Sequence, residues 1–254
     1  TFSKYQNQIK GYKFDKITVL ILFPIMVILI FTIIDYFLYN FIHPFFSFLL
    51  GLIALLYCLK PSEFNQKLEN LKFAIENNTD LDESKRFEYI LFVEKNEGPI
   101  SIISNIFYNS IRNIFSVIFV FLLLGPSGCL GYVILDNYIY SDKIKVDQKS
   151  KKFIKLVISL IEYLPVRICA FTFAVVANFE LCMNKWRTLK VQKEFYASNI
   201  NLINSVGIAS FGNEGGEKEN NENEMIIYAQ SIISRSLLAW LSIIGFLVIS
   251  GVFM

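Results

Sequence analysis

Arg112-Asn-Ile-Phe-Ser-Val-Ile-Phe-Val-Phe-Leu-Leu-Leu-Gly-Pro-Ser-Gly-Cys-Leu-Gly-Tyr-Val-Ile-Leu-Asp136 is the stretch whose reading decides the fold class. No charge falls among the 23 residues between its two ends. At helical rise they extend about 35 Å, enough to cross a hydrocarbon core of about 30 Å with some tilt. Near the far end stands Gly125-Pro126-Ser127-Gly128. Proline removes a backbone donor and crowds the preceding turn, and glycine relaxes the chain, so a kink or break is expected there. In hydrocarbon such a break survives only where protein or water satisfies the freed carbonyls. The broken face should therefore look into a helical bundle.

Composition agrees with a membrane protein. The 254 residues are 54% hydrophobic and 18% charged, with too little polar surface for a soluble domain of this size. A net charge of +2, with acids and bases mixed, argues against a nucleic-acid partner. The cysteines Cys58, Cys129, Cys169 and Cys182 have no paired spacing and read as reduced packing residues. His43 is the single histidine, which excludes a multi-histidine metal site. No metal and no cofactor are expected.

Working outward toward the N-terminus, four lysines precede an apolar run of eighteen residues, Ile17 to Ile34. No small-residue cleavage site follows, so it reads as a retained anchor rather than a signal peptide. Phe41 to Leu59 is a second apolar run, with His43-Pro44 at its entrance. The short connection predicts a membrane hairpin, Pro44 suits the first turn of a helix, and His43 reads as a polar cap at the interface. Residues 60–110 are polar, with Phe64, Leu68, Leu71 and Ile75 at helical spacing, then Phe87, Ile90 and Leu91. They predict a small cytoplasmic helical hairpin, mostly a solvated face, with a protein partner as the sharper alternative. Gly98-Pro99 punctuates entry into the central helix.

Toward the C-terminus a lysine-rich loop leads into Phe153 to Phe179, an apolar segment interrupted by Lys155, Glu162, Pro165 and Arg167. It reads either as a polar transmembrane helix with its charges turned inward or as an amphipathic helix in the interface plane. Residues 212–224 form an acidic loop without phosphate-binding spacing. Ser236 to Met254 is a last run of nineteen uncharged residues.

These runs predict an all-α integral membrane protein of about five transmembrane helices, organised as a two-helix hairpin (1–59), a cytoplasmic helical segment (60–110) and a membrane core (111–254). If Phe153 to Phe179 spans, an N-terminus in the cytoplasm leaves seventeen basic residues inside and six outside. All six outside lie between Lys143 and Lys155, against the positive-inside rule.

Gly125-Pro-Ser-Gly-Cys-Leu-Gly-Tyr132, then Ile161-Glu-Tyr-Leu-Pro-Val-Arg-Ile-Cys-Ala-Phe-Thr-Phe-Ala174, then Asn178-Phe-Glu180 with Trp186, resemble the AmpE family. Those are inner-membrane proteins of Gram-negative bacteria described as regulatory signalling modulators of β-lactamase induction. The likeness covers about Asn105 to Arg187. AmpE in turn is similar to the CobD/CbiB group, membrane enzymes that form an amide in cobalamin synthesis. That group carries a Glu-Asn-x-x-Asp signature upstream of its glycine-proline turn. A gapless match puts Tyr108, Asn109 and Arg112 at the Glu, Asn and Asp positions, so both carboxylates are lost and catalysis is not expected.

The resemblance implies a non-enzymatic inner-membrane sensor or modulator of cell-wall stress. A CobD/CbiB-type synthase and a transport or assembly subunit are the competing readings, the latter suggested by the broken helix and the intramembrane charges. Candidates for holding a ligand or partner are Asn109, Arg112, Gly125, Pro126, Gly128, Glu162, Pro165, Arg167, Asn178 and Glu180. Arg167 is expected to face the bundle and to meet the carbonyls freed at Gly125 to Gly128, Asn178 or an anionic ligand, or else to snorkel to the nearer surface.

Overall fold

The computed structural model describes residues 16–59, 66, 68–70, 73, 99–140, 146–189, 194–212 and 222–251. Among them there is helix and no strand. Most of the 60–98 segment and of the acidic loop lies outside the described residues.

Helix α1 (Lys16–Phe37) runs through a π-turn, Leu38–Ile42, to extended His43, and α2 (Pro44–Leu59) follows. His43 Nδ1 accepts from the Phe45 amide at 3.2 Å, and Pro44 opens the helix where its missing donor is no loss. Ser47 Oγ donates to Asp35 Oδ1 at 2.6 Å across the connection. Otherwise α1 and α2 pack on the central helix more than on each other. Their outward faces are exposed phenylalanine, leucine and isoleucine, as a lipid-facing pair requires.

Helix α3 (Pro99–Ser110) continues through a π-turn, Ile111–Phe115, into α4 (Ser116–Tyr140). From Ile102 onward α3 is buried almost all round, so the part of the chain expected as cytoplasmic over 99–110 is continuous with the central helix and lies in the core. Gly125 has φ 70° and ψ −169°, a conformation side chains resist, and Pro126 follows. The break is sharp. Arg112 and Asp136, separated by 24 residues, are bonded through their side chains at 2.7–2.9 Å. On a straight helix they would stand about 36 Å apart. The stretch therefore doubles back at Gly125, with two legs side by side, instead of extending as one rod.

Helix α5 (Gln148–Ile161) is capped by Asp147, whose carboxylate accepts from the Ser150 amide and hydroxyl. It joins α6 (Tyr163–Val176) across a 50° bend at Glu162. Pro165 explains the bend, since it cannot donate to the Ile161 carbonyl and its ring crowds that turn. Helices α7 (Phe179–Thr188), α8 (Phe195–Ala209) and α9 (Glu222–Ile249) complete the described fold.

Two apolar cores result. One lies among α3, α6, α8 and α9, around Phe107, Phe115, Phe173, Phe211 and Trp240. Gly207 is required there, because a Cβ would sit 2.5 Å from the Phe107 ring. The other joins α2, α4 and α5 around Cys58, Cys129, Val120 and Ile158. All four cysteines are buried and free, as packing residues should be. Burial pushes the Cys182 thiol up to about 11, which keeps it protonated and unreactive.

Among the described residues, three helical stretches are long and apolar enough to cross a membrane: Leu20–Ile42, Ile102–Ile139 and Asn223–Ile249. The bent pair α5/α6 makes up to four, and α2 is apolar but shorter, against the five expected.

Candidate functional site: a buried ionic and tyrosine network

Where the two legs of the central hairpin meet the bend between α5 and α6, six polar side chains converge. Arg112 lies in the π-turn, three residues after Asn109 on α3. Its guanidinium, only 4% exposed, donates Nε to Asp136 Oδ1 at 2.9 Å and Nη2 to Oδ2 at 2.7 Å. Nη1 donates to Asn109 Oδ1 at 3.1 Å. This two-pronged grip uses the planar fork of arginine, which lysine lacks. An unpaired guanidinium at this depth would be strongly destabilising, so Asp136 is obligatory to it.

Glu162 is fully buried at the bend. The Tyr132 hydroxyl donates to its Oε1 at 2.8 Å and the Tyr108 hydroxyl to its Oε2 at 3.3 Å. Tyr132 also lies 3.4 Å from the Arg112 carbonyl, and the guanidinium stands 6.0 Å from the Tyr108 ring. Asn109–Arg112–Asp136 and Tyr108–Glu162–Tyr132 are thus two halves of one cluster, supplied by α3, the π-turn, α4 and the bend between α5 and α6. One arginine faces two carboxylates. The cluster can hold the bent pair against the hairpin, and its tyrosines can pass polarisation between Glu162 and the arginine backbone.

Of the expected residues, Asn109, Arg112 and Glu162 meet here. The others do not. Gly125, Pro126 and Gly128 form the hairpin tip, where Pro126 packs against Gly51 of α2, whose added Cβ would lie 3.7 Å from the proline ring. Pro165 is buried and shapes the bend. Arg167 has partners other than those expected: Nη1 donates to the Tyr163 carbonyl at 2.7 Å and to Asn199 Oδ1 at 3.2 Å, and the guanidinium stacks 3.3 Å over the Tyr163 ring. Asn199 on α8 in turn donates to the Ser159 carbonyl near the end of α5 at 2.8 Å. Asn178 caps α7 by accepting from the Leu181 amide, and Glu180 is exposed in that helix's first turn. Both are explained locally.

Asp136, Tyr108, Tyr132 and Asn199 were not singled out as site residues. Asp136 carried a usable signal, being the first charge after Arg112 beyond a glycine-proline break. Tyr132 and Tyr108 carried none, because a tyrosine in an apolar run reads equally well as packing.

No protein-family model, no curated protein and no solved structure matches this chain.

Proposed function

We propose that the chain is a multi-pass protein of the bacterial inner membrane, of the AmpE kind, that modulates β-lactamase induction or cell-wall stress signalling without catalysis of its own. One contact carries the support. The two stretches on which the resemblance rests, Gly125 to Tyr132 and Ile161 to Ala174, are joined in space by the hydrogen bond from Tyr132 to Glu162. Motifs that matched only in order also share one buried cluster. A regulator needs an element with two arrangements that a ligand or partner can bias. The bend at Glu162, fastened to the hairpin by that cluster, has the required position. A protein partner would engage residues 60–98.

In this proposal the central hairpin is re-entrant. Its two ends then emerge on one side, so the basic run from Lys143 to Lys155 returns to the side of residues 60–98. That accords with the positive-inside rule when the bent pair α5/α6 also turns back, so that the basic residues from Lys185 to Arg235 stay on the same side. The functional test is a deletion strain scored for inducible β-lactamase and for cell-wall recycling products, complemented with wild type and with Glu162→Ala. The proposal expects an altered response on deletion, restored by wild type and not by a stably inserted Glu162→Ala.

A second reading, an amide-forming synthase of the CobD/CbiB type, is favoured by one observation. The acids missing at positions 108 and 112 are met in space by Glu162 and Asp136, which bond to the Tyr108 and Arg112 side chains standing there. Nucleotide consumption by the purified protein in the presence of cobyric acid would select this reading over the first.

A further inference from the structure

Between α1, α4 and α5 lies a cleft of about 300 Å³. Its walls include Ile25 and Ile28 of α1, Leu124 and Gly131 of α4, and Phe153 and Val157 of α5. They are carbon throughout except for Tyr132, whose hydroxyl is already committed to Glu162. Nothing in the cleft can receive a polar ligand. Its size is at the lower end for a ligand pocket, and two of its walls belong to stretches long and apolar enough to cross a membrane. At that depth the competing filler is hydrocarbon rather than water.

What sits at the end of the cleft selects the occupant. Phe153 follows directly on Lys151 and Lys152, and Lys149 is one turn before it on the same helix. Lys149 and Lys152 are exposed, Lys151 is half-exposed, and among the described residues none of the three has a carboxylate partner. Lys155, by contrast, is engaged over the Tyr196 ring at 4.7 Å. Lys152 shares the face of Lys155, toward α8, whereas Lys149 and Lys151 flank the cleft face of α5 in the turn before Phe153, and such a basic pair beside an apolar cleft is complementary to an anionic head group bearing a hydrocarbon tail. We propose that the cleft between α1, α4 and α5 seats one acyl chain of an anionic membrane lipid, whose head group lies on Lys149 and Lys151.

The test uses the purified full chain in nanodiscs containing phosphatidylglycerol or phosphatidylcholine with the same diazirine-bearing acyl tail, and maps the cross-linked peptides. The phosphatidylglycerol tail should label residues 20–28 and 153–161 about twentyfold more than the phosphatidylcholine tail does. Lys149→Gln and Lys151→Gln should each weaken that preference roughly fivefold. These are surface changes that leave the core intact. Val157→Trp, which fills the cleft, should remove the tail labelling, whereas Leu241→Trp on the exposed face of α9 should not. Equal labelling by the two lipids would overturn the head-group assignment. Cleft labelling no stronger than that of Leu238 to Phe246, or unaffected by Val157→Trp, would overturn the seat for the tail.

Discussion

Arg112 grips Asp136 through two parallel hydrogen bonds of 2.9 and 2.7 Å across a turn that lies between them in the chain. The contact closes the base of a hairpin whose tip is Gly125. It also fixes which faces of the two legs look at each other, and these carry Tyr108 and Tyr132 to Glu162. The ion pair and the glutamate site therefore depend on the same fold-back.

The pair should behave as a unit. Asp136→Ala leaves a buried guanidinium without its counter-charge, a change that typically costs about 3–5 kcal/mol. Arg112→Met combined with Asp136→Leu removes both charges and should recover most of that loss. Thermal unfolding of the three proteins in detergent measures the difference. A double variant as unstable as Asp136→Ala would mean that the pair does not hold the hairpin.

Glu162 is expected to act through hydrogen bonding as well as charge. Glu162→Gln keeps an acceptor for one tyrosine hydroxyl and should be milder than Glu162→Ala, which orphans both. Tyr132→Phe removes the shorter of the two bonds and should destabilise by about 1–2 kcal/mol. Equal melting temperatures for Glu162→Gln and Glu162→Ala would contradict the geometry.

At the tip, a Cβ on Gly128 would come 2.3 Å from the Leu124 Cβ, and Gly125 holds φ 70°. Gly128→Leu should therefore lower membrane accumulation well below that of Leu123→Ala, whose side chain is exposed. Gly125→Ala should also lose stability, by about 1–3 kcal/mol from its positive-φ conformation, which only glycine adopts readily. Quantitative blotting of membrane fractions decides. Equal accumulation of Gly128→Leu and Leu123→Ala would show the turn to be loosely packed.

Arg167→Lys should insert normally but lose the bridge to α8. Lysine can snorkel as arginine does, yet cannot stack on Tyr163 and reach Asn199 together. Full complementation by lysine would reduce Arg167 to an anchor.

Much of this was legible before any coordinates. Apolar runs bounded by charge marked the helices, and Gly125-Pro126 marked a break. Pro165 is the residue that bends α5 against α6, and His43-Pro44 announced the start of α2. The fold-back was not legible, because 23 uncharged residues between Arg112 and Asp136 fit a rod as well as a hairpin. Periodicity reports local helix, and only the long-range pairing of the two end charges distinguishes the shapes. The partners of Arg167 were hidden for the same reason. Asn199 sits 32 residues away on a helix whose asparagines look alike in sequence.

The most direct test of the fold-back is the side of the membrane on which its two ends emerge. Gln66 and Gln148 are both exposed, one before the hairpin and one after it. Gln66→Cys and Gln148→Cys, made singly, can be probed in intact and in permeabilised cells with a membrane-impermeant thiol reagent; the four native cysteines are buried. A re-entrant hairpin predicts that both engineered thiols react in the same preparation. Reaction of one only in intact cells and the other only after permeabilisation would mean that the stretch crosses as a rod, and would contradict the Arg112–Asp136 closure.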